Sequence, residues 1–444
     1  MRRNRPRFPE TPARLPPNLS FVLGISPSAM TLGLGNMRAL LKELGHPEEK
    51  LRPVVVAGTN GKGSVTAYLS ALLAANGRRV GSYSSPHVYS VNERICVDNQ
   101  PVAVEEMEDA AARIVPLYEK IGYSYFEALT AISFLIFAQS DIDLCVLETG
   151  LGGRFDATNV VEPVLSVITG ISLDHRRILG DSEEEILREK MGITRTGTPL
   201  LVGELSPDLE AIVAGKAERE HIPLRRFDEL GKVEVKNMTA YGMRAHLRTH
   251  GHDYGTVPLP LVGAHQASNA LLAVAAAEHL IKDVSRLERA AAITHLPGRF
   301  EAREVAGNTV VLDVAHNDAA LTAAAETLAA VSPPTKNAMI LGMLPRKELL
   351  RFPEEFHRYV RRLYLVDPAP GDSLTAPALL ERIGLANVKN KPVDVFVESN
   401  FESESHWERF LDGLFASPSE AVLITGSFRT VEVFGRRLEN LEVS

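Results

Sequence analysis

Apolar positions recur along this chain in two rhythms that keep replacing one another. Arg52-Pro-Val-Val-Val-Ala-Gly58 is a short β-branched run bounded by Pro and Gly, which predicts a buried strand. From Ser64 to Asn76 the apolar residues Val65, Leu69, Leu72 and Leu73 follow helical spacing, and Gly77 suits the left-handed residue that closes a helix. Arg79 to Tyr83 predicts a second strand. A helix carrying Ala128, Ile132 and Leu135 leads into Asp143-Leu-Cys-Val-Leu-Glu148, whose continuous apolar core predicts another buried strand, and Pro163 to Ile171 predicts the next. Pro207 to Gly251 has no clear period and is expected to be a peripheral mixed segment. His265 to Ile281 is Ala-rich and strongly helical. From Asn308 the alternation restarts, with strands predicted at Thr309–Val314, Ala338–Met343, Arg362–Val366, Val393–Val397 and Ala421–Thr425.

Strands alternating with helices imply parallel sheets covered on both faces. At 444 residues the chain is too long for one hydrophobic core. Pro and Gly punctuate it at Leu296-Pro-Gly-Arg299. The expected organisation is a flexible tail over 1–17, a large α/β domain over 18–297 and a smaller one over 298–444, with a cleft between them as a two-substrate site.

Composition narrows the class. With 45% hydrophobic residues the chain cannot be globally disordered. Its 48 basic and 56 acidic residues give a net charge of −8, against a nucleic-acid binder. No apolar run is long enough to span a bilayer; the best, Ala128 to Ala138, contains Thr130 and Ser133. Met1 to Pro17 is rich in Arg and Pro without an apolar core, so it is not a secretory signal; a frayed tail is preferred to an organellar transit peptide. Cys96 and Cys145 are the only cysteines, which excludes a disulfide framework and a thiolate zinc site. A reduced, cytoplasmic protein without membrane attachment is expected.

Candidate chemistry lies in the turns. Gly58-Thr-Asn-Gly-Lys-Gly-Ser64 stands directly after a predicted strand and before a predicted helix, where glycines let backbone N–H groups converge on phosphate and Lys62 can reach the terminal phosphates. The strict Walker pattern fails at Val56 and Gly63. A plain connecting turn is the competing reading. Ser84-Ser-Pro-His87, Glu148-Thr-Gly-Leu-Gly-Gly-Arg-Phe-Asp156 and Asp174-His175 each follow a predicted strand as well. Alone each could be structural. Together, four polar loops after four strands supply hydroxyl, carboxylate and imidazole groups suited to Mg²⁺ held against ATP phosphates.

These motifs resemble the folylpolyglutamate synthase/dihydrofolate synthase family of the Mur ligase superfamily. The resemblance also rests on Tyr125-Phe-Glu127, Asp156-Ala-Thr-Asn159, Glu189-Lys190, His265-Gln266 with Asn269, Pro297-Gly-Arg299, Asp313-Val-Ala-His-Asn317 and Gly426-Ser427, and spans nearly the whole chain. It implies an α/β fold with a large, P-loop-containing Mur-ligase-type ATPase domain and a smaller Rossmann-like C-terminal domain. The implied activity is ATP-dependent ligation of L-glutamate to the carboxylate of a folate or of dihydropteroate through an acyl phosphate.

Carried over by position, the resemblance assigns nucleotide contacts to Gly58, Thr59, Asn60, Gly61, Lys62, Gly63, Ser64, Gln266, Asn269, Arg299 and Asp313. It assigns magnesium, two ions in all, to Ser85, Glu148 and His175. Ser124, Tyr125, Phe126, Glu127, Phe155, Asp156 and Ala157 would line the pterin pocket, and His316 and Ser427 would face glutamate. Lys190 matches a carbamylated lysine serving the second metal, and Lys62, Lys190 and His316 are the expected catalytic residues. A monomer acting on small molecules is implied. The pattern is broken at Gly170, Arg176, Asp318 and Arg346. The competing functions are a related Mur-type ligase with another acid or amine, a P-loop NTPase module without ligase activity, and an inactive paralogue.

Overall fold

The computed structural model describes residues 15–26, 33–347, 349, 352–369, 371–384, 393–399, 401, 403–416 and 420–442. The Arg/Pro-rich start over 1–14, most of the expected tail, lies outside the described residues. By compactness the chain forms two units. One comprises Met1–Val233, His246–Val257 and Ser268–His295; the other comprises Glu234–Ala245, Pro258–Ala267 and Leu296–Ser444.

The first unit is built on an eight-stranded sheet of β1 (Pro53–Ala57), β2 (Val80–Tyr83), β3 (Ile95–Val97), β4 (Gln100–Pro101), β5 (Leu144–Glu148), β6 (Leu165–Ile168), β7 (Leu200–Val202) and β8 (Leu224–Arg225). Its order is β4-β3-β2-β5-β1-β6-β7-β8. β2, β5, β1, β6, β7 and β8 run parallel, whereas β3 and β4 turn back antiparallel at one edge. Both faces of β1 and β5 are buried, which is why their sequences are unbroken apolar runs rather than alternating ones.

The helix Lys62–Ala75 covers the sheet and ends as its sequence dictates. Gly77 takes φ 89°, and the amides of Gly77 and Arg78 return to the carbonyls of Ala74 and Leu73, a Schellman closure. The helix Tyr125–Gln139 is buried along most of its length, so its apolar residues surround it instead of forming one stripe.

The segment without a period resolves into a helix, Pro207–Arg219, followed by β8 and the strands β9 (Gly231–Thr239) and β10 (Gly242–Thr249). With β11 (Asp253–Leu259) the last two form a three-stranded sheet ordered β11-β10-β9. β10 alternates buried and half-exposed positions, the signature of a one-sided strand.

The second unit carries the sheet β12-β13-β17-β14-β15-β16, comprising β12 (Glu301–Val305), β13 (Asn308–Leu312), β14 (Asn337–Leu341), β15 (Arg362–Val366), β16 (Asp394–Glu398) and β17 (Ala421–Thr425). All its pairings are parallel except β12 with β13. The five strands predicted from Asn308 onward are all present within two residues of their expected bounds. No described helix is long and apolar enough to cross a membrane.

Candidate active site

Strand order decides where the chemistry gathers. β1 lies between β5 and β6, and the chain passes from β1 through a helix to β2 on one side, then from β5 to β6 on the other. Because β2, β5, β1 and β6 are parallel, the four polar loops after them all leave one edge of the sheet, at the switch point where open α/β sheets bind ligands.

The phosphate loop is clamped by the loop after β6. Thr59 donates its amide to Gly170 O at 2.8 Å and its hydroxyl to Ser172 O at 3.1 Å; Asn60 Nδ2 reaches Ser172 Oγ at 3.1 Å; Thr169 Oγ1 donates to Asn60 O at 2.6 Å. A Cβ on Gly58 would stand 1.8 Å from Thr169 Oγ1, and one on Gly61 would stand 2.6 Å from Asn269 Oδ1. Both glycines are therefore required by close approach, and Gly61 also by its φ of 89°. The helix that follows has no side-chain cap, so its first N–H groups face the loop rather than a local acceptor. Lys62 Nζ is folded back to Thr59 O at 3.2 Å.

The metal candidates come from three neighbouring loops. Glu148, only 3% exposed at the end of β5, accepts the amide of Ser85 at 3.1 Å. His175 adopts φ 51° ahead of the short helix Arg176–Leu179, with its side chain nearly half exposed. Carboxylate, hydroxyl and imidazole suit a divalent cation, and a carboxylate this buried is stabilised by one. These residues fit magnesium.

The glycines of the third loop bring Lys190 to the same region. A Cβ on Gly153 would lie 2.7 Å from Lys190 O, and the Arg154 amide donates to Glu189 O at 2.9 Å, so the loop packs backbone to backbone on the end of the helix Glu183–Lys190. Lys190 is 4% exposed. Burial, reinforced by the positive charge of Lys62, holds its amine down at about 7, with Asp174 and Asp156 pulling the other way.

Three expected substrate residues have local work. Ser124 and Glu127 form a reciprocal capping box, Ser124 N donating to Glu127 Oε2 at 2.8 Å and Glu127 N to Ser124 Oγ at 3.3 Å. Asp156 is likewise turned inward, accepting from Leu151 N at 2.9 Å and from Thr158 N and Oγ1 at 3.0 and 2.6 Å. Phe126 packs 5.9 Å from the Tyr83 ring and against Gly150, where a Cβ would meet the Phe126 ring at 2.5 Å. Phe155, by contrast, is 52% exposed and presents an aromatic face to solvent.

In the second unit, the loops after β13, β14 and β17 are stitched together. Gly426 N donates to Ala315 O at 2.9 Å, and Thr430 Oγ1 to Gly342 O at 2.8 Å. Asp313 accepts the amides of Phe300 and Ala315; burial raises its carboxyl and the Arg299 guanidinium opposes that rise. Arg299 lies over the Phe428 ring at 5.3 Å, and the His316 ring stands 6.0 Å from the same ring, its Nδ1 2.8 Å from Val314 O. Burial, reinforced by the positive charge of Arg299, holds His265 down at about 4. Gln266 is buried beside it. Ser427 is buried too, its hydroxyl accepting the Thr430 amide at 3.0 Å and capping the C-terminal helix.

Residues 56–277 match the family model of the Mur ligase middle domain, and residues 298–428 that of the Mur ligase glutamate ligase domain. A dihydrofolate synthase/folylpolyglutamate synthase of Bacillus subtilis is 32% identical over 92% of this chain and 95% of its own. One from Escherichia coli is 31% identical over 96% of both. The chain belongs to the dihydrofolate synthase/folylpolyglutamate synthase family of Mur ligases. Solved members have the same fold. Mycobacterium tuberculosis folylpolyglutamate synthase, complexed with ADP and AMPPCP, superposes with a TM-score of 0.82 at 30% identity, covering 91% of this chain and 95% of its own. Escherichia coli FolC, in complex with DHPP and ADP, gives 0.80 at 29% identity over 96% and 97%.

For this member of the family, reading the sequence alone missed the clamp on the phosphate loop. Thr169 and Ser172 hold it, yet they stand 109 and 112 residues from Asn60, their partner. The available signal was a threonine closing an apolar strand beside the motif strand. It becomes informative only once β6 is known to pair with β1.

Proposed function

We propose that this chain is an ATP-dependent amide ligase that joins L-glutamate to the carboxylate of dihydropteroate or of a folate. The observation that carries the proposal is the clamped phosphate loop, with an uncapped helix start and Lys62, bordered by a buried lysine with a depressed pKa. A carboxylate oxygen attacks the γ-phosphorus of ATP and ADP departs, leaving an acyl phosphate. The glutamate amine then attacks the acyl carbon, phosphate leaves, and the amine loses its protons to solvent or base. Positioning and charge neutralisation dominate the first step, and the loop amides with Lys62 supply both.

Ser85, Glu148 and His175 would hold magnesium, which when bound neutralises the phosphate oxygens. At about 7 the Lys190 amine is substantially neutral under physiological conditions, and only a neutral amine condenses with CO₂ to a carbamate, releasing a proton. The product anion would serve a second magnesium. Phe155 offers its exposed ring to a pterin, and Asp156 with Ala157 shapes the turn beneath it. Gln266, Asn269, Arg299 and Asp313 are assigned to the nucleotide and His316 to glutamate. Ser427 contributes by fixing the Gly426–Phe428 turn, since its hydroxyl caps a helix. We assign the chain a monomeric, cytoplasmic role with small-molecule substrates and no nucleic acid.

Purified protein with ATP, Mg²⁺, labelled glutamate and either dihydropteroate or tetrahydrofolate tests this directly. Label should enter the acid, and phosphate should be released only when acid and amine are both present. Equal phosphate release without either would replace the ligase with an NTPase.

A further inference from the structure

A buried cation without a counter-charge stands beside the loop that carries Ser85. Arg94 is 6% exposed, at the step from a short turn into β3. Its Nε–H donates to His87 Nδ1 at 2.8 Å, and its guanidinium lies 5.5 Å from the centre of the Tyr125 ring. Among the described residues it has no ion pair, and Nε is its only side-chain nitrogen with a hydrogen bond.

The nearby carboxylates are committed elsewhere. Glu93, the preceding residue, accepts the amides of Val88, Tyr89 and Ser90. Glu127 takes the Ser124 amide, and Asp156 is held by Leu151 and Thr158. Tyr83, buried beneath, feels the positive charge, which opposes the upward push of burial on its phenol.

An arginine always carries its charge, and burying that charge unpaired is costly. Here the guanidinium is also fixed in orientation. A guanidinium nitrogen can only donate, so His87 Nδ1 is the acceptor and the ring proton sits on Nε2. With Nε anchored on His87 and one face over Tyr125, the terminal nitrogens keep the planar fork that matches a carboxylate bidentately.

Resting on the ligase reading above, we propose that Arg94 binds the carboxylate of the acid substrate, with His87 and Tyr125 as positioning residues. The incoming anion supplies the missing counter-charge. Arg94 thereby selects ionised acids over neutral analogues and holds the carboxylate beside the loop of Ser85.

The test compares binding of dihydropteroate and of its carboxamide to wild type, Arg94→Met and His87→Ala, by fluorescence titration. Wild type should favour the carboxylate about 10- to 100-fold, the size expected for a charge-assisted pair. Arg94→Met should lose that preference while binding ATP with wild-type affinity. His87→Ala, which frees the fork without removing it, should lose part of the preference. A full carboxylate preference retained in folded Arg94→Met overturns the proposal while leaving ligation intact. If Arg94→Met does not fold, a wild-type preference in His87→Ala overturns it instead. Wild type that ligates no acid in the assay above removes the functional reading, and this inference with it.

Discussion

Replacing Lys190 by methionine should make the protein more stable and less active at once. An ordinary lysine titrates at 10.5 and this one at about 7, with burial as the main cause. The gap corresponds to about 5 kcal/mol, at about 1.4 kcal/mol per tenfold in the protonation constant. Between those two values the unfolded chain binds the proton more tightly than the folded one. Stability contributed at this site is therefore lowest below pH 7 and rises as pH climbs through 7 towards 10.5. Methionine fills a similar volume without the charge. In bicarbonate-free buffer Lys190→Met should then be more stable by about 4 kcal/mol at pH 7 and by about 2 kcal/mol at pH 9. Chemical denaturation at both pH values measures the two gains. In parallel, ligation should fall steeply, and Lys190→Ala should be partly rescued by a short-chain carboxylate in the buffer. An unchanged stability at pH 7, or a gain that does not shrink by pH 9, refutes the argument from burial. Normal ligation by Lys190→Met refutes a catalytic role while leaving the burial argument standing.

Lys62→Ala should lower turnover by about two orders of magnitude or more with little change in melting temperature, because its one intramolecular hydrogen bond is a long one to a half-buried turn carbonyl; steady-state kinetics beside thermal melts decide it. Glu148→Gln keeps the shape but not the charge at the end of β5, so the magnesium concentration for half-maximal activity should rise about tenfold or more. Gly58→Ala drives a methyl into Thr169 Oγ1 and breaks its hydrogen bond to Asn60 O, and should cost about 2–4 kcal/mol of stability. Pairing it with Thr169→Ala, which removes the obstructing oxygen, should recover part of that loss in a double-mutant cycle.

The part of the fold that was legible is the part where both faces of a strand are buried. Val54 to Ala57 and Leu144 to Leu147 could be read because a parallel strand under two helical layers has no polar face to confuse with a loop. The polar loops after them were legible for the complementary reason, since polar groups closing apolar strands mark a sheet's ligand-binding edge. β9 and β10 were not. In β9 the outward positions alternate with only half-buried ones, in β10 with buried ones, and the segment also carries the helix Pro207–Arg219, so two periods overlap in 45 residues. Arg94 was illegible in a different way. One arginine in a stretch holding Glu93 reads as a solvated pair. Only the fold shows that Glu93 turns to its own loop while Arg94 turns inward towards His87 and Tyr125.

The four departures from the family pattern show what this chain still requires of its site. Gly170 meets the phosphate loop through its carbonyl alone, and an added Cβ there would touch nothing, so that position constrains backbone and not side chain. Arg176 stands in the short helix after His175 and pairs with Asp181 at 3.0 Å across the following turn. Asp318 opens the helix Asp318–Val331, where a negative charge complements the helix dipole as well as a proline would fit the first turn. Arg346 is exposed, and Glu348, the acid nearest it in sequence, lies outside the described residues. Each change therefore falls where a side chain is tolerated by solvent, by a local partner or by open space. The positions that admit no such freedom are Gly58 and Gly61 against their neighbours, Gly153 against Lys190, and the buried Glu148 and Lys190. Steric exclusion and burial therefore hold the phosphate loop, Glu148 and Lys190 fixed, while the exposed positions tolerate a change of charge.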